Sequence, residues 1–143
     1  MFNPSHADVR RFFCETWRKH GALEPLSPLE AIALDWIIEH PEYHADLQSA
    51  DAAIATVYPV EAGRTNPFLH LSMHLAVAEQ VSIDQPHGIR AAFERLTHRH
   101  DSLHAAAHEI IECLGEIVWQ AQREQLTPDS ADYLDCIRRR SRL

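Results

Sequence analysis

The fold of this 143-residue chain depends on residues 101–123, DSLHAAAHEIIECLGEIVWQAQR. At about 100° per residue, its apolar side chains share one broad helical face. Asp101 is predicted to cap this helix, because a short acidic side chain accepts hydrogen bonds from first-turn amides. His104 and His108 continue the apolar face and Glu112 borders it, so these three lie on neighbouring turns. The apolar face comprises Leu103, Ala107, Ile110, Ile111, Leu114, Ile117, Val118, Trp119 and Ala121.

Composition indicates an ordered protein with one domain, residues 1–143. Hydrophobic residues make up 45% of the chain and there are only four glycines, which is typical of a globular protein. The net charge of −8 disfavours a nucleic-acid-binding surface. No apolar run approaches the roughly 18 residues of a membrane span. We therefore expect neither nucleic acid nor a membrane among the partners.

The three cysteines do not suggest a disulfide framework or a thiolate zinc site. Cys14, Cys113 and Cys136 are odd in number, widely spaced and without a Cys-x-x-Cys pair. The first residues show no secretory signal, so a bacterial-style cytoplasmic protein is the expectation.

The rest of the chain reads as helices joined by turns. Further helices are expected after the caps Ser5, Ser27 and Asn66, after the capping segment Thr127-Pro128-Asp129, and between Ile89 and Arg99. Because no strand alternation is visible, the predicted class is all-α, a single-domain helical bundle of five to six helices. The chain is expected to have a loop-rich connection over about 45–65, with a short helical turn at Asp51–Val57, and a short basic tail at 138–143.

Histidine is the unusual component, with 11 dispersed residues. His70 and His74 lie in a stretch that is apolar on every side, FLHLSMHLAVA, which indicates a central helix. Short turns favour antiparallel neighbours, so this helix and the 101–123 helix should run parallel. The pairs His70/His74 and His104/His108 should then lie at matching heights and converge inside the protein. Five histidines, at positions 6, 20, 87, 98 and 100, are predicted to be exposed.

This convergence predicts a transition-metal site. Each buried imidazole left unpaired costs on the order of 1–3 kcal/mol, and a cation removes that cost by accepting a ring lone pair. Nitrogen and oxygen ligands without thiolate suit iron, manganese or zinc, and a six-coordinate or dinuclear centre. Nearby helix N-termini would favour a small anionic or diatomic ligand. The predicted metal ligands are His70, His74, His104, His108 and Glu112, with His40 and His44 in reserve.

Three functions remain open from these residues. The first is redox, oxygen or nitric oxide chemistry or sensing at this site. Here the chain resembles hemerythrin-like bundles, being rich in His-x-x-x-His and His-x-x-x-Glu, although order and spacing differ. The second is a metal-dependent hydrolase or transferase resembling DinB-like three-histidine bundles. The third is a non-catalytic interaction module with a buried histidine network. Whether the protein is an enzyme stays open.

Several segments together resemble an uncharacterised bacterial family, domain of unknown function 1841. They are His40-Pro41-Glu42-Tyr43-His44, Asn66-Pro67-Phe68-Leu69-His70 with His74, Glu79-Gln80, Asp84-x-Pro86-x-Gly88-Ile89, and His104 through Gln122. The resemblance covers most of the chain and implies no established activity.

Overall fold

The protein is all-α, as predicted. The computed structural model describes residues 5–58 and 66–142. Within these ranges there are seven α-helices and one 3₁₀ helix, so the prediction of five to six helices was too low. No helix in these ranges is long and apolar enough to cross a membrane. The elements are α1 His6–Gly21, α2 Pro28–Ile38, the 3₁₀ helix Pro41–Leu47, α3 Ala50–Ala55, α4 Pro67–Ile83, α5 Ile89–His100, α6 Leu103–Glu124 and α7 Ser130–Arg142.

The additional helices arise in the connection that was predicted to be loop-rich. The 3₁₀ helix Pro41–Leu47 overlaps the start of this connection. The next element, α3 Ala50–Ala55, forms where the short helical turn was expected. Ser49 caps α3 by accepting from the Ala52 amide, 3.3 Å away. The loop predicted through Pro59 and Gly63 lies outside the described residues. Local caps therefore produce short helices even where the apolar periodicity is poor.

The chain divides into two compact units, one ending at Leu75 and one beginning at Ala76. The first contains α1, α2, the 3₁₀ helix, α3 and the first half of α4. Its core is a cluster of buried residues contributed by every one of these elements. The members of this cluster are Phe13, Cys14, Ala33, Ile37, Leu47, Ala53, Phe68 and Leu71.

Capping boxes start the first two helices, as the sequence indicated. The Ser27 hydroxyl accepts from the Glu30 amide, and the Glu30 carboxylate accepts from the Ser27 amide at 2.9 Å. Lys19 of α1 donates to the same carboxylate at 3.1 Å, which joins α1 to the start of α2. The backbone hydrogen bond from Ser27, followed by the bond from Lys19, holds the pKa of Glu30 below its ordinary value.

We expect Glu30→Gln to destabilise the protein at neutral pH and to have little effect in acid. A lowered pKa in the folded state means that the ionised carboxylate stabilises the fold above the unfolded-state pKa. That contribution disappears as the pH falls through the lowered pKa, where glutamate becomes a neutral analogue of glutamine. Denaturant unfolding of both proteins across the acidic range measures this, with the exposed Glu42→Gln as a matched control. A deficit for Glu30→Gln that stays constant with pH would contradict the assignment.

The second unit contains the end of α4 together with α5, α6 and α7, and the last three pack against one another. Gly88 begins α5 with φ +103°, and a Cβ there would lie 2.9 Å from an Arg138 nitrogen. Asp84 accepts from the Gly88 and Arg90 amides at 3.1 Å, which closes the turn before α5. The fully buried side chains of this unit include Ile89, Ala92, Leu96, Ala106, Ile110 and Ile137.

Two predictions for the 101–123 helix were wrong in detail. Ser102, not Asp101, caps α6 by accepting from the Ala105 amide at 3.0 Å. Asp101 instead ends α5 in the left-handed region, φ 53°, which a short polar residue tolerates better than most. Leu103 and Trp119 are exposed although they lie on the predicted apolar face. They lie near opposite ends of a 22-residue helix, and the Arg123 guanidinium covers the Trp119 ring.

A disulfide joins Cys113 of α6 to Cys136 of α7, which corrects the expectation drawn from cysteine number and spacing. Their Cα atoms are 5.9 Å apart, within the range that disulfides need. The third cysteine, Cys14, lies buried in the first unit. The packing of two helices brings the half-cystines together, and spacing alone does not reveal that.

Candidate metal centre

His40 lies just after the end of α2, and a hydrogen bond to a backbone carbonyl fixes its tautomer. Its Nδ1 lies 2.7 Å from the Trp36 carbonyl oxygen, one turn earlier. Because a carbonyl only accepts, Nδ1 carries the hydrogen, and Nε2 of the neutral ring carries the lone pair. Pro41 then starts the 3₁₀ helix, so the histidine sits where the chain changes direction. A backbone carbonyl on the distal ring nitrogen is the usual arrangement for a metal-binding histidine.

Three histidine rings of the first unit meet through their Nε2 atoms. His70 Nε2 lies 3.1 Å from His40 Nε2 and 3.2 Å from His74 Nε2. The spacing of four along α4 places the His70 and His74 rings on successive turns. His40 is 3% exposed and His74 is fully buried, so this cluster is largely removed from solvent. The meeting of His40, His70 and His74 therefore lies entirely within the first unit.

The two Nε2–Nε2 contacts of His70 cannot both be ordinary hydrogen bonds between neutral rings. His40 Nε2 has a lone pair, so His70 Nε2 must donate to it to make a hydrogen bond. A ring N–H has no lone pair in the ring plane, and His70 Nε2 then cannot also accept from His74. Either one hydrogen is shared between two acceptors, or two lone pairs face each other. A cation that accepts all three lone pairs has no such conflict.

The separations between these nitrogens also suit a metal. With metal–nitrogen distances of about 2.1 Å, adjacent ligands lie about 3.0 Å apart at a right angle and about 3.4 Å apart in a tetrahedron. The two observed separations, 3.1 and 3.2 Å, fall between these values. These two separations are therefore compatible with neighbouring ligands of one metal ion.

Aromatic rings enclose the three-histidine cluster. Trp36 stacks on His74 with ring centroids 4.1 Å apart, and Tyr43 stacks on His40 at 5.2 Å. Burial, followed by the charges of Glu42 and Asp46, raises the pKa of Tyr43, which keeps the phenol neutral. A low-dielectric surrounding strengthens any metal–ligand electrostatics inside it.

His44 lies in the same unit but faces elsewhere. Its Nε2 lies 2.9 Å from the Ile37 carbonyl, to which it must donate. Its ring stacks on Trp17, with centroids 4.2 Å apart. These contacts give His44 a structural task at the end of α2, and its assignment as a ligand remains a prediction.

The second unit contains one histidine pair. His104 Nε2 and His108 Nε2 lie 3.0 Å apart on successive turns of α6. Both rings are partly buried and meet edge to face, with centroids 4.2 Å apart. An N–H···N hydrogen bond or a shared metal ion would each produce this separation.

Glu112, one turn further along α6, is occupied by an arginine. Its side chain is 62% exposed, and Oε2 accepts from Arg140 Nη1 of α7. Glu109 and Glu116 lie 3.5 Å from the same guanidinium. The role of Glu112 as a metal ligand therefore remains a prediction, and it would require release of Arg140.

The remaining histidines are surface residues, as predicted: positions 6, 20, 87, 98 and 100 are exposed. Sequence reasoning missed the two groups that orient the cluster, the Trp36 carbonyl and the Trp36 ring. The available signal was spacing, since Trp36 lies four residues before His40 and so one turn away.

Comparison with known proteins identifies the family without supplying an activity. No curated protein and no solved structure matches the chain. The family model described as a domain of unknown function matches residues 5–139, nearly the whole chain. With the resemblance expected from the histidine-bearing segments thus confirmed, the chain belongs to the family "Domain of unknown function (DUF1841)".

Proposed function

We propose that the protein binds a transition-metal ion through histidine nitrogens and uses it for redox, oxygen or nitric oxide chemistry or sensing. The observation that carries the proposal is the meeting of three Nε2 atoms, from His40, His70 and His74, at 3.1 and 3.2 Å. The Trp36 carbonyl supports it, because it fixes the His40 lone pair towards the other two rings.

We further propose that His104 and His108 of α6 contribute to the same site. The pair on α6 supports this, because its two Nε2 atoms lie 3.0 Å apart on successive turns, as neighbouring ligands of one ion would. His70 contacts His40 and His74 in the first unit and would be a further nitrogen ligand or an orienting neighbour. Sharing one ion between α4 and α6 would satisfy both histidine pairs at once.

The donor atoms favour iron, manganese or zinc, since none of the proposed ligands is a thiolate. Four or five neutral nitrogens leave at least one position of a six-coordinate metal for a small exogenous ligand. When bound, the metal would supply that ligand's binding and any electron transfer. The chain's own residues would orient the imidazoles, through the Trp36 carbonyl, and limit access by water, through the Trp36 and Tyr43 rings.

A metal-dependent hydrolase or transferase is the second candidate. The three-histidine cluster favours it, because three histidines with an open fourth position form a known catalytic zinc site. In that case His40, His70 and His74 would hold zinc, and a bound water would be the nucleophile. Zinc in the native protein, without visible absorption in air, would favour this function over the first.

Metal analysis of protein purified without a nickel column tests both proposals. We expect about one ion or more per chain after reconstitution with iron, zinc or manganese, because convergent imidazoles bind such ions tightly. A rise in melting temperature with metal should accompany it, since a ligand of the folded state stabilises that state. Fewer than about 0.2 ions per chain, with no change in melting temperature, would leave only the histidine network of an interaction module.

A further inference from the structure

We propose that Cys113 and Cys136 form a reversible oxidation site, a dithiol–disulfide pair that locks α7 onto α6. The reactants would be low-molecular-weight disulfides and thiols of the glutathione class, or a dithiol reductase. The proposal does not depend on a metal ion, because neither cysteine belongs to the proposed ligand set.

The position of the pair determines what it controls. It joins helices whose cysteines are 23 residues apart, and it closes the helical hairpin formed by α6 and α7. Cys113 is 0% and Cys136 6% exposed, so both half-cystines are largely buried while α7 is docked. In the cytoplasm, the compartment expected from the sequence, disulfides are usually transient and redox-sensing.

Apart from the disulfide, α7 packs against α5 and α6 through a buried face and makes several polar contacts. Tyr133 donates to Gln80 at 2.6 Å, Arg140 donates to Glu112, and Arg99 donates to the Arg140 carbonyl at 3.0 Å. Leu134 and Ile137 supply its buried aliphatic side chains. The disulfide adds a covalent bond to this packing, so its reduction should loosen α7.

The chemistry is thiol–disulfide exchange and balances without a cofactor. One cysteine thiolate attacks a sulfur of an external disulfide, which releases one thiolate and leaves a mixed disulfide. The second cysteine thiolate then attacks the protein sulfur of that mixed disulfide and releases the second thiolate. Overall, two protein thiols lose two electrons and two protons, and the external disulfide becomes two thiols.

Cys14 provides an internal reference. It is buried in the core of the first unit, and burial raises the pKa of its thiol to about 11. The thiolate is the reactive form, and residues 1–75 contain no second cysteine to resolve a mixed disulfide, so Cys14 should not form an internal disulfide. Cys14→Ala should therefore leave every redox response intact.

The experiment equilibrates the full chain with oxidised glutathione or with dithiothreitol, then counts thiols under denaturing conditions and measures thermal unfolding. We expect one thiol in the oxidised protein and three in the reduced protein. We expect reduction to lower the melting temperature by about 10 °C or more. The reason is that the disulfide closes a loop of about 24 residues and so limits the entropy of the unfolded chain. Cys113→Ala/Cys136→Ala should show no dependence on redox conditions.

Two results would overturn the proposal. One is three thiols per chain after equilibration with oxidised glutathione. The other is a thiol count that changes while the melting temperature of the wild type does not. If the double alanine variant fails to fold, the wild type and Cys14→Ala still decide the question, because both measurements apply to them.

Discussion

Replacing His74 by glutamine is expected to weaken metal binding by more than about 100-fold, the upper end of what loss of an outer-sphere partner costs. His74 is fully buried, its Nε2 lies 3.2 Å from His70 Nε2, and Trp36 stacks on its ring. Glutamine keeps a polar side chain of similar length and a good helix propensity but removes the imidazole nitrogen. Metal titration followed by tryptophan fluorescence and by elemental analysis measures the loss.

His44→Gln is the matched control for this substitution. His44 belongs to the same unit, but its Nε2 contacts the Ile37 carbonyl and its ring stacks on Trp17. We expect this variant to keep its metal affinity. Equal losses in the two variants would make His44 a ligand or make the His74 effect a general loss of fold. Circular dichroism separates these outcomes, and His40→Gln repeats the test at a helix end if His74→Gln does not fold.

The double variant His104→Gln/His108→Gln separates two forms of the metal proposal. If α6 shares the ion with α4, affinity should fall as it does for His74→Gln. If the cluster of His40, His70 and His74 binds the metal alone, the double variant should retain wild-type affinity. Either result shows which helices supply the ligands. If His74→Gln and the double variant both keep wild-type metal affinity, the metal proposal is wrong.

Truncating Phe13 to alanine is expected to lower the free energy of unfolding by about 3–5 kcal/mol. Phe13 is 1% exposed, meets Phe12 edge to face at 5.2 Å, and belongs to the core of the first unit. A cavity there would open in the buried cluster that Phe13 forms with Ile37 and Leu47, among others. Because whole domains are stable by only about 5–15 kcal/mol, this single change should bring the first unit close to unfolding.

Denaturant unfolding monitored by tryptophan fluorescence measures this effect, since Trp17 and Trp36 both pack against that core. The control is Leu29→Ala on α2, where the leucine is 53% exposed. We expect that variant to change stability by less than about 0.5 kcal/mol. Comparable losses of stability for Phe13→Ala and Leu29→Ala would contradict the assignment of Phe13 to the core of the first unit.

Local signals predicted most of the secondary structure. Ser27 followed by proline and then by a glutamate three residues after the serine marked the start of α2, because its cap is a contact between near neighbours. The same reasoning chose Asp101 over Ser102 at the start of α6, since both residue types cap helices equally well. The left-handed backbone of Asp101 ends α5 there, and two adjacent helices decide that conformation together.

By itself, the sequence determined that this protein is all-α, where most of its long helices begin, and that His70 and His74 share one helix face with a spacing of one turn. Those properties follow from hydrogen bonds and periodicity within a few residues. Only the tertiary structure decided that His40 joins His70 at 3.1 Å, that His44 faces a carbonyl, and that Cys113 meets Cys136. Each depends on how helices pack, because contacts between residues 7, 23 or 30 positions apart leave no periodic trace in the chain.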